Sequence, residues 1–198
     1  MKILHIDSST TGPDSVSREL TAAIVAHLAA KTPGAEVERL DLVANPVAHL
    51  DEVTTGALRL PPDAQSDAMK AAAPAELAYL QQFMGADVAV IGAPMYNFTV
   101  PSQLKAWIDR LGVPGVSFTY SEAGPKGLAG NTRVIIASTQ GGMYEAGDVA
   151  EHQESLLRVF FGFIGVTDLT IVRADKIGFG PEMRAASVAA AKAEIAAL

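Results

Sequence analysis

The stretch VAVIGAPMYNFTVPSQLKAWID, residues 88–109, decides the fold. VAVIG has apolar residues at every position except its last, which is typical of a strand whose two faces are both covered in a parallel sheet. Proline in the first turn of 101–111, followed by Leu104, Ile108 and Leu111 on one stripe, predicts a helix. The stretch therefore predicts a strand–loop–helix unit whose loop holds Met95 and two aromatic residues.

The same alternation extends in both directions along the chain. Five segments are rich in strand-forming residues, and five stretches have helical spacing. The predicted strands are 3–7, 36–42, 88–92, 133–137 and 169–172, and the predicted helices are 17–30, 75–83, 101–111, 151–164 and 181–198. This alternation predicts an α/β fold with a five-stranded parallel sheet and helices on both faces. Residues 43–66, with three prolines, are expected to form one long irregular connection.

Five strands of this kind most often form a doubly wound sheet in the order 2-1-3-4-5. In that order the ligand crevice lies beyond the carboxyl ends of strands 1 and 3, where the winding reverses. The loops after ILHID, VAVIG and RVIIA are therefore the expected binding loops. The length of 198 residues fits a single domain, 1–198.

Composition excludes several classes of function. A net charge of −7 without a basic cluster argues against a nucleic-acid partner. The absence of cysteine excludes disulfides and thiol catalysis, and the isolated histidines predict no metal site. The apolar runs are too short to span a membrane and no signal-peptide pattern opens the sequence, so we expect a soluble cytoplasmic protein.

The loop after the first strand, SSTTGPDSVSR, holds six hydroxyl residues before a helix. A helix N-terminus offers free N–H groups and partial positive charge to an anion, and Arg18 would add charge nearby. The pattern is neither GxGxxG nor GxxxxGK[ST]. An ordinary serine cap is the alternative, but one cap needs a single hydroxyl. The density of hydroxyls favours a phosphate monoester.

The other two loops suit a planar ring. Tyr96 and Phe98 can flank a heterocycle while Asn97 bonds its polar edge, although the aromatics could instead pack into the core. In STQGG, Gly141 and Gly142 let the backbone approach a ring closely, although a Gly-Gly pair alone is often only a flexible turn. Phosphate, ring and polar edge together match flavin mononucleotide (FMN).

Several blocks of the sequence also resemble one family. APMYNFTVPSQLKAWID, the serine loop ending in SVS, STQGG, FTYSEAGPKGL and GFIGVTD are similar to the FMN-dependent NADH azoreductases. That resemblance covers essentially the whole chain. It implies a flavodoxin-like homodimer that also acts as an NAD(P)H:quinone oxidoreductase.

The resemblance assigns residues to each part of the site. It places the FMN phosphate on Ser9, Ser15, Val16 and Ser17. It places the isoalloxazine on Met95, Tyr96, Asn97 and Phe98, and the pyrimidine edge of that ring on Thr139, Gln140, Gly141 and Gly142. It gives the substrate pocket to Tyr120, Phe161 and Phe163, some of them across a dimer interface. Related proteins can carry arginine at position 140, so backbone contacts there are expected and the preference for NADH or NADPH stays open.

The implied reaction needs no catalytic side chain. NADH or NADPH would pass hydride to the flavin N5, and a quinone or an azo compound would then take the electrons in ping-pong turnover. Amides of 139–142 would stabilise negative charge near the flavin N1. Two alternatives remain: a flavodoxin-type carrier of single electrons, and a flavin-free phosphate binder.

Overall fold

The computed structural model describes residues 1–145 and 147–198. Within them seven strands are β1 (Lys2–Asp7), β2 (Glu36–Asp41), β3 (Val88–Pro94), β4 (Phe118–Ser121), β5 (Gly124–Gly127), β6 (Arg133–Thr139) and β7 (Leu169–Ala174). Six α-helices are α1 (Val16–Lys31), α2 (Glu52–Arg59), α3 (Asp67–Met84), α4 (Ser102–Ile108), α5 (Glu154–Phe163) and α6 (Pro181–Ala196). Short 3₁₀ turns cover Gly12–Asp14 and Pro62–Ala64.

Five of the strands form one parallel sheet in the order β2-β1-β3-β6-β7. When the separate β4–β5 pair is left out of the count, this is the predicted order 2-1-3-4-5. The α/β fold and the five-stranded parallel sheet are confirmed. The carboxyl ends of β1 and β3 therefore lie side by side at the point where the winding changes direction.

Apolar side chains of the central strands alternate between two cores. In β1, Ile3 packs into one cluster with Leu20 and Ile24 of α1, while Leu4 packs into the other with Phe83 of α3. The second cluster also holds Trp107, which is fully buried on α4. The strand period of two thus sends successive residues to opposite faces of the sheet, and helices cover both faces.

Three elements depart from the predicted pattern. Residues 43–66 were predicted to be irregular, but they contain α2, which begins with a capping box between Asp51 and Thr54. Residues 118–127, for which no strand was predicted, form the antiparallel β4–β5 hairpin. Helix α3 begins at Asp67, about two turns before the predicted start at 75, because Ser66 caps it and Pro74 is accommodated inside.

No helix in the two described ranges is long and apolar enough to cross a membrane.

Candidate functional site

A cleft of about 380 Å³ lies at the carboxyl ends of β1, β3 and β6. Its walls come from the loops that follow these strands, and also from the segment after β7 and the start of α6. The lining residues are Ser9, Thr11, Asp14, Ser15, Val16, Pro94, Met95, Tyr96, Thr139, Gln140, Gly141, Ile177 and Arg184. The fold thus brings three predicted loops to one place.

The first loop ends at the N-terminus of α1. Ser15 caps the helix because its hydroxyl accepts a hydrogen bond from the Arg18 N–H at 3.2 Å. Its Oγ also lies 3.1 Å from the Ser17 Oγ, and both side chains are buried. The N–H groups of Val16 and Ser17, at the start of the helix, have no acceptor among the described residues, so they remain available to an anion. Ser15 and Val16 face the cleft, whereas Ser17 lies behind Ser15.

The sequence predicted that Arg18 would add positive charge near the bound anion, but its guanidinium is engaged elsewhere. Its guanidinium makes two bonds to the Asp41 carboxylate, at 2.6 and 2.9 Å, and donates to the Ser9 carbonyl at 3.2 and 2.9 Å. The hydrogen bonds from Arg18 hold the pKa of Asp41 well below its usual range. Arg18 is therefore a clamp that fixes the backbone of Ser9 from behind.

A buried carboxylate ends β1. Asp7 is 1% exposed and accepts hydrogen bonds from Thr21 at 2.8 Å and Arg39 at 2.9 Å. Burial raises the pKa of Asp7, but the His5 imidazole 3.4 Å away and the hydrogen bonds from Arg39 and Thr21 outweigh burial, and the net pKa is lowered. The charge on Asp7 anchors the start of the first loop.

The second loop contains a tight turn. Backbone bonds join Tyr96 and Thr99 in both directions, at 2.8 and 3.1 Å, and Asn97 and Phe98 between them have φ values of 47° and 72°. Positive φ at both central residues marks a type I′ turn. Asparagine tolerates this conformation, but phenylalanine rarely adopts it. The turn holds Phe98 half exposed, edge-on to the Tyr144 ring at 6.4 Å.

The hydroxyl of Tyr96 joins the second loop to the first. It accepts a hydrogen bond from the Thr10 N–H at 3.0 Å and lies 2.9 Å from the Thr10 Oγ1 and 3.4 Å from the Ser9 Oγ. Burial raises the pKa of this phenol, but the bonds from Ser9 and Thr10 and the charge of Arg18 give a net lowering. The ring of Tyr96 is thereby held against the hydroxyl loop as one wall of the cleft.

The third loop is joined to the second through backbone and side chains. The Met95 N–H donates to the Thr139 carbonyl at 2.7 Å. Gln140, 1% exposed, donates through Nε2 to the Gln153 side chain at 3.1 Å, and Gln153 in turn donates to the Ala93 carbonyl. The Gln140 Oε1 is buried without a hydrogen-bond partner among the described residues. A buried acceptor of this kind beside a cleft is available to a ligand donor.

Glycine shapes the cleft wall at the third loop. A Cβ on Gly141 would meet nothing within 4 Å, so the space beside it is open. The carbonyls of Gly141 and Gly142 accept from Gly178 at 2.9 Å and Lys176 at 2.7 Å, and among the described residues their N–H groups have no acceptor. The backbone thus keeps its donors, not its acceptors, unpaired.

The segment after β7 is a fourth loop that the sequence did not point to. Ile177 N–H donates to the Gln140 carbonyl at 3.1 Å, and a Cβ on Gly178 would lie 3.1 Å from the Gly141 oxygen. The glycine at 178 allows that close approach. The signal that could have revealed this loop is GFGPE, residues 178–182, two glycines before a Pro-started helix.

A second buried carboxylate, paired with an arginine, supports β6 from behind. Glu154, 4% exposed at the start of α5, accepts from Arg173 Nε at 2.7 Å and from Ser138 at 2.8 Å. Burial raises the pKa of Glu154, but the bonds from Arg173 and Ser138 give a net lowering. This ion pair ties the end of β7 to the start of α5 beneath the third loop.

The three predicted substrate aromatics lie apart from this cavity. Tyr120 is 72% exposed on the hairpin, edge-on to Phe118 at 5.5 Å, and Phe118 packs on the half-buried Phe163 at 4.5 Å. Phe161 is fully buried against Phe83 at 5.7 Å in the core. The structure therefore groups Tyr120 with Phe163 and separates Phe161 from both, because Phe161 lies on the face of α5 that points toward the sheet.

The cleft accounts for most of the predicted cofactor residues. Ser9, Ser15, Val16, Met95, Tyr96, Thr139, Gln140 and Gly141 line it directly. Ser17, Asn97, Phe98 and Gly142 adjoin lining residues without lining the cavity themselves. Arg184, from α6, lines the cleft and was not predicted. The arrangement suits a ligand with an anionic group at one end and a planar polar ring at the other.

Comparison with known proteins gives the same assignment. Residues 1–198 match a family model described as a flavodoxin-like fold. An FMN-dependent NADH:quinone oxidoreductase of Bradyrhizobium sp. is 50% identical over 201 residues, which cover 100% of this chain and 99% of that protein. The chain belongs to the flavodoxin-like family of FMN-dependent NADH:quinone oxidoreductases.

Other members extend the comparison. A protein of that name from Azospirillum brasilense is 51% identical over 205 residues, 100% of this chain and 97% of that one. The crystal structure of an azoreductase from Bacillus anthracis strain Sterne is 26% identical, with a TM-score of 0.89 over 100% of this chain and 97% of that chain. The predicted resemblance to this family is confirmed.

Proposed function

We propose that this protein is an FMN-dependent NAD(P)H oxidoreductase that reduces quinones to hydroquinones and cleaves azo compounds reductively. The single observation that carries the proposal is the convergence of the hydroxyl loop, Tyr96 and Gly141 on one cleft. Family membership and the names of the relatives support the same activity. Residues 1–198 would form one FMN-binding domain.

The residues present fit FMN. The first turn of α1 and the Ser15 hydroxyl suit its phosphate. The open space beside Gly141 suits a flat ring. No protein atom lies within 4 Å of the position that a Cβ would take, and glycine leaves that space free for a ligand. The unpartnered Oε1 of Gln140 would gain a donor from the polar edge of the ring.

The chemistry that bound FMN supplies is two-electron transfer between a nicotinamide and a quinone or an azo compound. The chain itself binds and orients. We propose that Ser9, Ser15, Val16 and Ser17 hold the phosphate, with Ser17 behind the lining fixing the Ser15 side chain. Met95, Tyr96, Asn97 and Phe98 would hold the ring, with Thr139, Gln140, Gly141 and Gly142 along its polar edge.

The unpaired N–H groups of Gly141 and Gly142 would stabilise negative charge that develops on a bound ring. The Gly141 N–H shares its peptide unit with the Gln140 carbonyl, which accepts from Ile177, and the Gly142 N–H shares its unit with the Gly141 carbonyl, which accepts from Gly178. Both peptide units are therefore oriented before any ligand arrives. Donors fixed in advance cost no reorganisation during reaction. The fourth loop is thus a support for the electrostatics of the third.

We also propose a homodimer in which exposed aromatics such as Tyr120 contribute to the substrate pocket. Exposed apolar side chains on α5 support it, since Val159 is 72% exposed beside the half-buried Leu156. Sedimentation equilibrium tests the proposal. A monomer at every concentration would contradict it.

The substitution Gly141→Val tests the proposed cofactor site. Its side chain would fill the open space beside the third loop, so we expect FMN affinity to fall at least about tenfold while the melting temperature stays near that of the wild type. The control is Gly162→Val, because Gly162 on α5 also has open space at its Cβ and lies outside the cleft. Equal FMN affinity in both variants would contradict the site.

Activity is tested with the FMN-loaded wild type. Rapid-mixing absorbance with NADH, followed by a quinone or an azo dye, is expected to show reduction and then reoxidation of the bound flavin. A flavodoxin-type carrier would bind FMN yet react barely at all with NADH. Protein that is colourless after incubation with excess FMN and removal of the free FMN would contradict the proposal.

A further inference from the structure

Arg184 brings positive charge to the cleft from α6. Among the thirteen described residues that line the cleft, Arg184 is the only basic residue. It lies in the first turn of α6 and reaches the 3₁₀ turn before α1, where its Nη2 donates to the Asp14 carbonyl at 2.7 Å. That bond places the guanidinium beside the first loop.

The charge on Arg184 is not neutralised by a carboxylate. Within residues 1–145 and 147–198, the acceptor recorded for its guanidinium is the neutral Asp14 carbonyl. Glu19 and Arg184 both line a groove next to the cleft, but the Glu19 carboxylate is paired with Lys192 at 2.6 Å. A guanidinium has five donors, so most of them remain for a ligand.

The other cation near the first loop is already engaged. Arg18 is bound to Asp41 on both of its terminal nitrogens and to the Ser9 carbonyl. The remaining groups around Ser15 are hydroxyls, backbone N–H groups and the Asp14 carboxylate, none of which supplies positive charge. A phosphate monoester carries about −1.5 to −2 at neutral pH.

We propose that Arg184 binds the terminal phosphate of FMN together with Ser15 and the first turn of α1, and so selects FMN over riboflavin. The inference rests on the proposed function, because it takes FMN as the ligand of this cleft. Arginine pairs well with phosphate oxygens through its planar fork of donors. Riboflavin ends in a neutral hydroxyl, so it gains nothing from the charge.

The test compares two variants of α6 that each remove one positive charge. Arg184→Gln changes the cleft, whereas Lys192→Gln changes an exposed ion pair on the same helix outside the cleft. Apoprotein of each is titrated with FMN and with riboflavin, followed by quenching of flavin fluorescence at two salt concentrations. The melting temperature of each apoprotein is measured alongside.

The expected result separates the two ligands. Arg184→Gln weakens FMN binding at least about tenfold, leaves riboflavin binding within about twofold, and reduces the salt dependence of FMN binding. Lys192→Gln leaves both ligands unchanged, and Arg184→Lys recovers part of the FMN affinity.

Two results would overturn the inference while the proposed function stands. One is wild-type affinity for FMN in Arg184→Gln. The other is an equal loss of FMN and riboflavin, which would indicate that Arg184 only supports the loop through Asp14. Failure of the wild-type protein to bind FMN would instead overturn the proposed function, and the inference with it.

Discussion

The cleft and the β4–β5 hairpin are held in place by different forces. In the cleft, loops far apart in sequence are joined by hydrogen bonds and charge, as between Tyr96 and Thr10 or Arg18 and Asp41. The hairpin is held by close backbone contact and by aromatic packing of Phe118 on Phe163. Polar bonds fix atoms at set distances, whereas packing fixes whole surfaces.

The difference matches the two tasks proposed for these regions. A tightly bound cofactor needs donors and acceptors fixed at particular atoms, which the polar network provides. Substrates of varied shape suit an exposed aromatic surface such as that of Tyr120, 72% exposed. The comparison predicts that polar substitutions at the cleft alter cofactor binding and that changes in the hairpin alter stability or substrate constants.

The largest expected effect is at the base of the hairpin. The substitution Gly127→Ala would place a Cβ closer to the backbone of Ile164 and Gly165 than van der Waals contact permits. Because these neighbours are main-chain atoms, they cannot turn aside, and we expect the free energy of unfolding to fall by about 3 kcal/mol. Urea denaturation measures it.

Gly162→Ala is the matched control for this substitution. Gly162 lies on α5 with open space at its Cβ, so alanine there should leave stability unchanged or raise it by up to about 1 kcal/mol. If Gly127→Ala were as stable as this control, backbone contact would not be what docks the hairpin.

The next effect concerns the ion pair beneath the cleft. Glu154→Gln removes a 4% exposed carboxylate from Arg173, whose side chain is 40% exposed. We expect the free energy of unfolding at pH 7 to fall by about 2 kcal/mol, less than for a pair buried on both sides. Glu194→Gln, at an exposed position on α6, should change it by less than about 0.5 kcal/mol.

The pH dependence of this loss sharpens the test. The pKa of Glu154 is lower in the folded protein than its ordinary value of 4.5. Its charge therefore stabilises the fold fully above about pH 4.5, and that contribution disappears as pH falls through the lowered pKa. The difference in free energy of unfolding between the wild type and Glu154→Gln should therefore become smaller below pH 4.5. A constant difference down to acid unfolding would contradict the role of the charge.

The sequence predicted the cleft better than it predicted the hairpin. Binding loops follow from the order of strands, and strand order follows from apolar runs such as 88–92, so the three loops could be located. The exact residues that line the cleft could not be predicted from the sequence. Ser17, Asn97 and Gly142 do not line it although their neighbours do, because they differ from those neighbours in direction and not in residue type. Arg184 was missed because nothing local distinguishes one arginine on an amphipathic helix from another.

The hairpin and α2 were missed for another reason. FTYSEAGPKG has few apolar alternations, and its strands form because Gly127 can rest on Gly165 at the end of α5. That contact is tertiary and leaves no local signal. In 43–66 the prolines suggested irregular chain, whereas the capping box at Asp51 starts a helix between them. The family resemblance assigned Phe161 to the substrate pocket, whereas its side chain lies in the core.

A smaller effect is expected from Tyr96→Phe. The substitution keeps the ring but removes the hydroxyl that accepts from the Thr10 N–H at 3.0 Å. One hydrogen bond between the loops is lost, so FMN affinity should fall by about 1 kcal/mol, or about fivefold. Fluorescence titration measures it. Tyr79→Phe on α3 is the control, and a Tyr96→Phe variant that binds FMN as tightly as Tyr79→Phe would show that this bond does not position the cleft.

The smallest effect is expected from Tyr120→Ala. Since this side chain contacts mainly Phe118 and is 72% exposed, its removal should change the free energy of unfolding by less than about 0.5 kcal/mol and leave FMN affinity unchanged. Its proposed role is contact with substrate, so kcat/KM for quinones and azo dyes should fall about threefold, mainly through KM. Tyr120→Phe keeps the ring and should retain the wild-type constants. Unchanged constants in Tyr120→Ala across several quinones and dyes would show that the hairpin is structural, and the division of tasks between the two regions would fail.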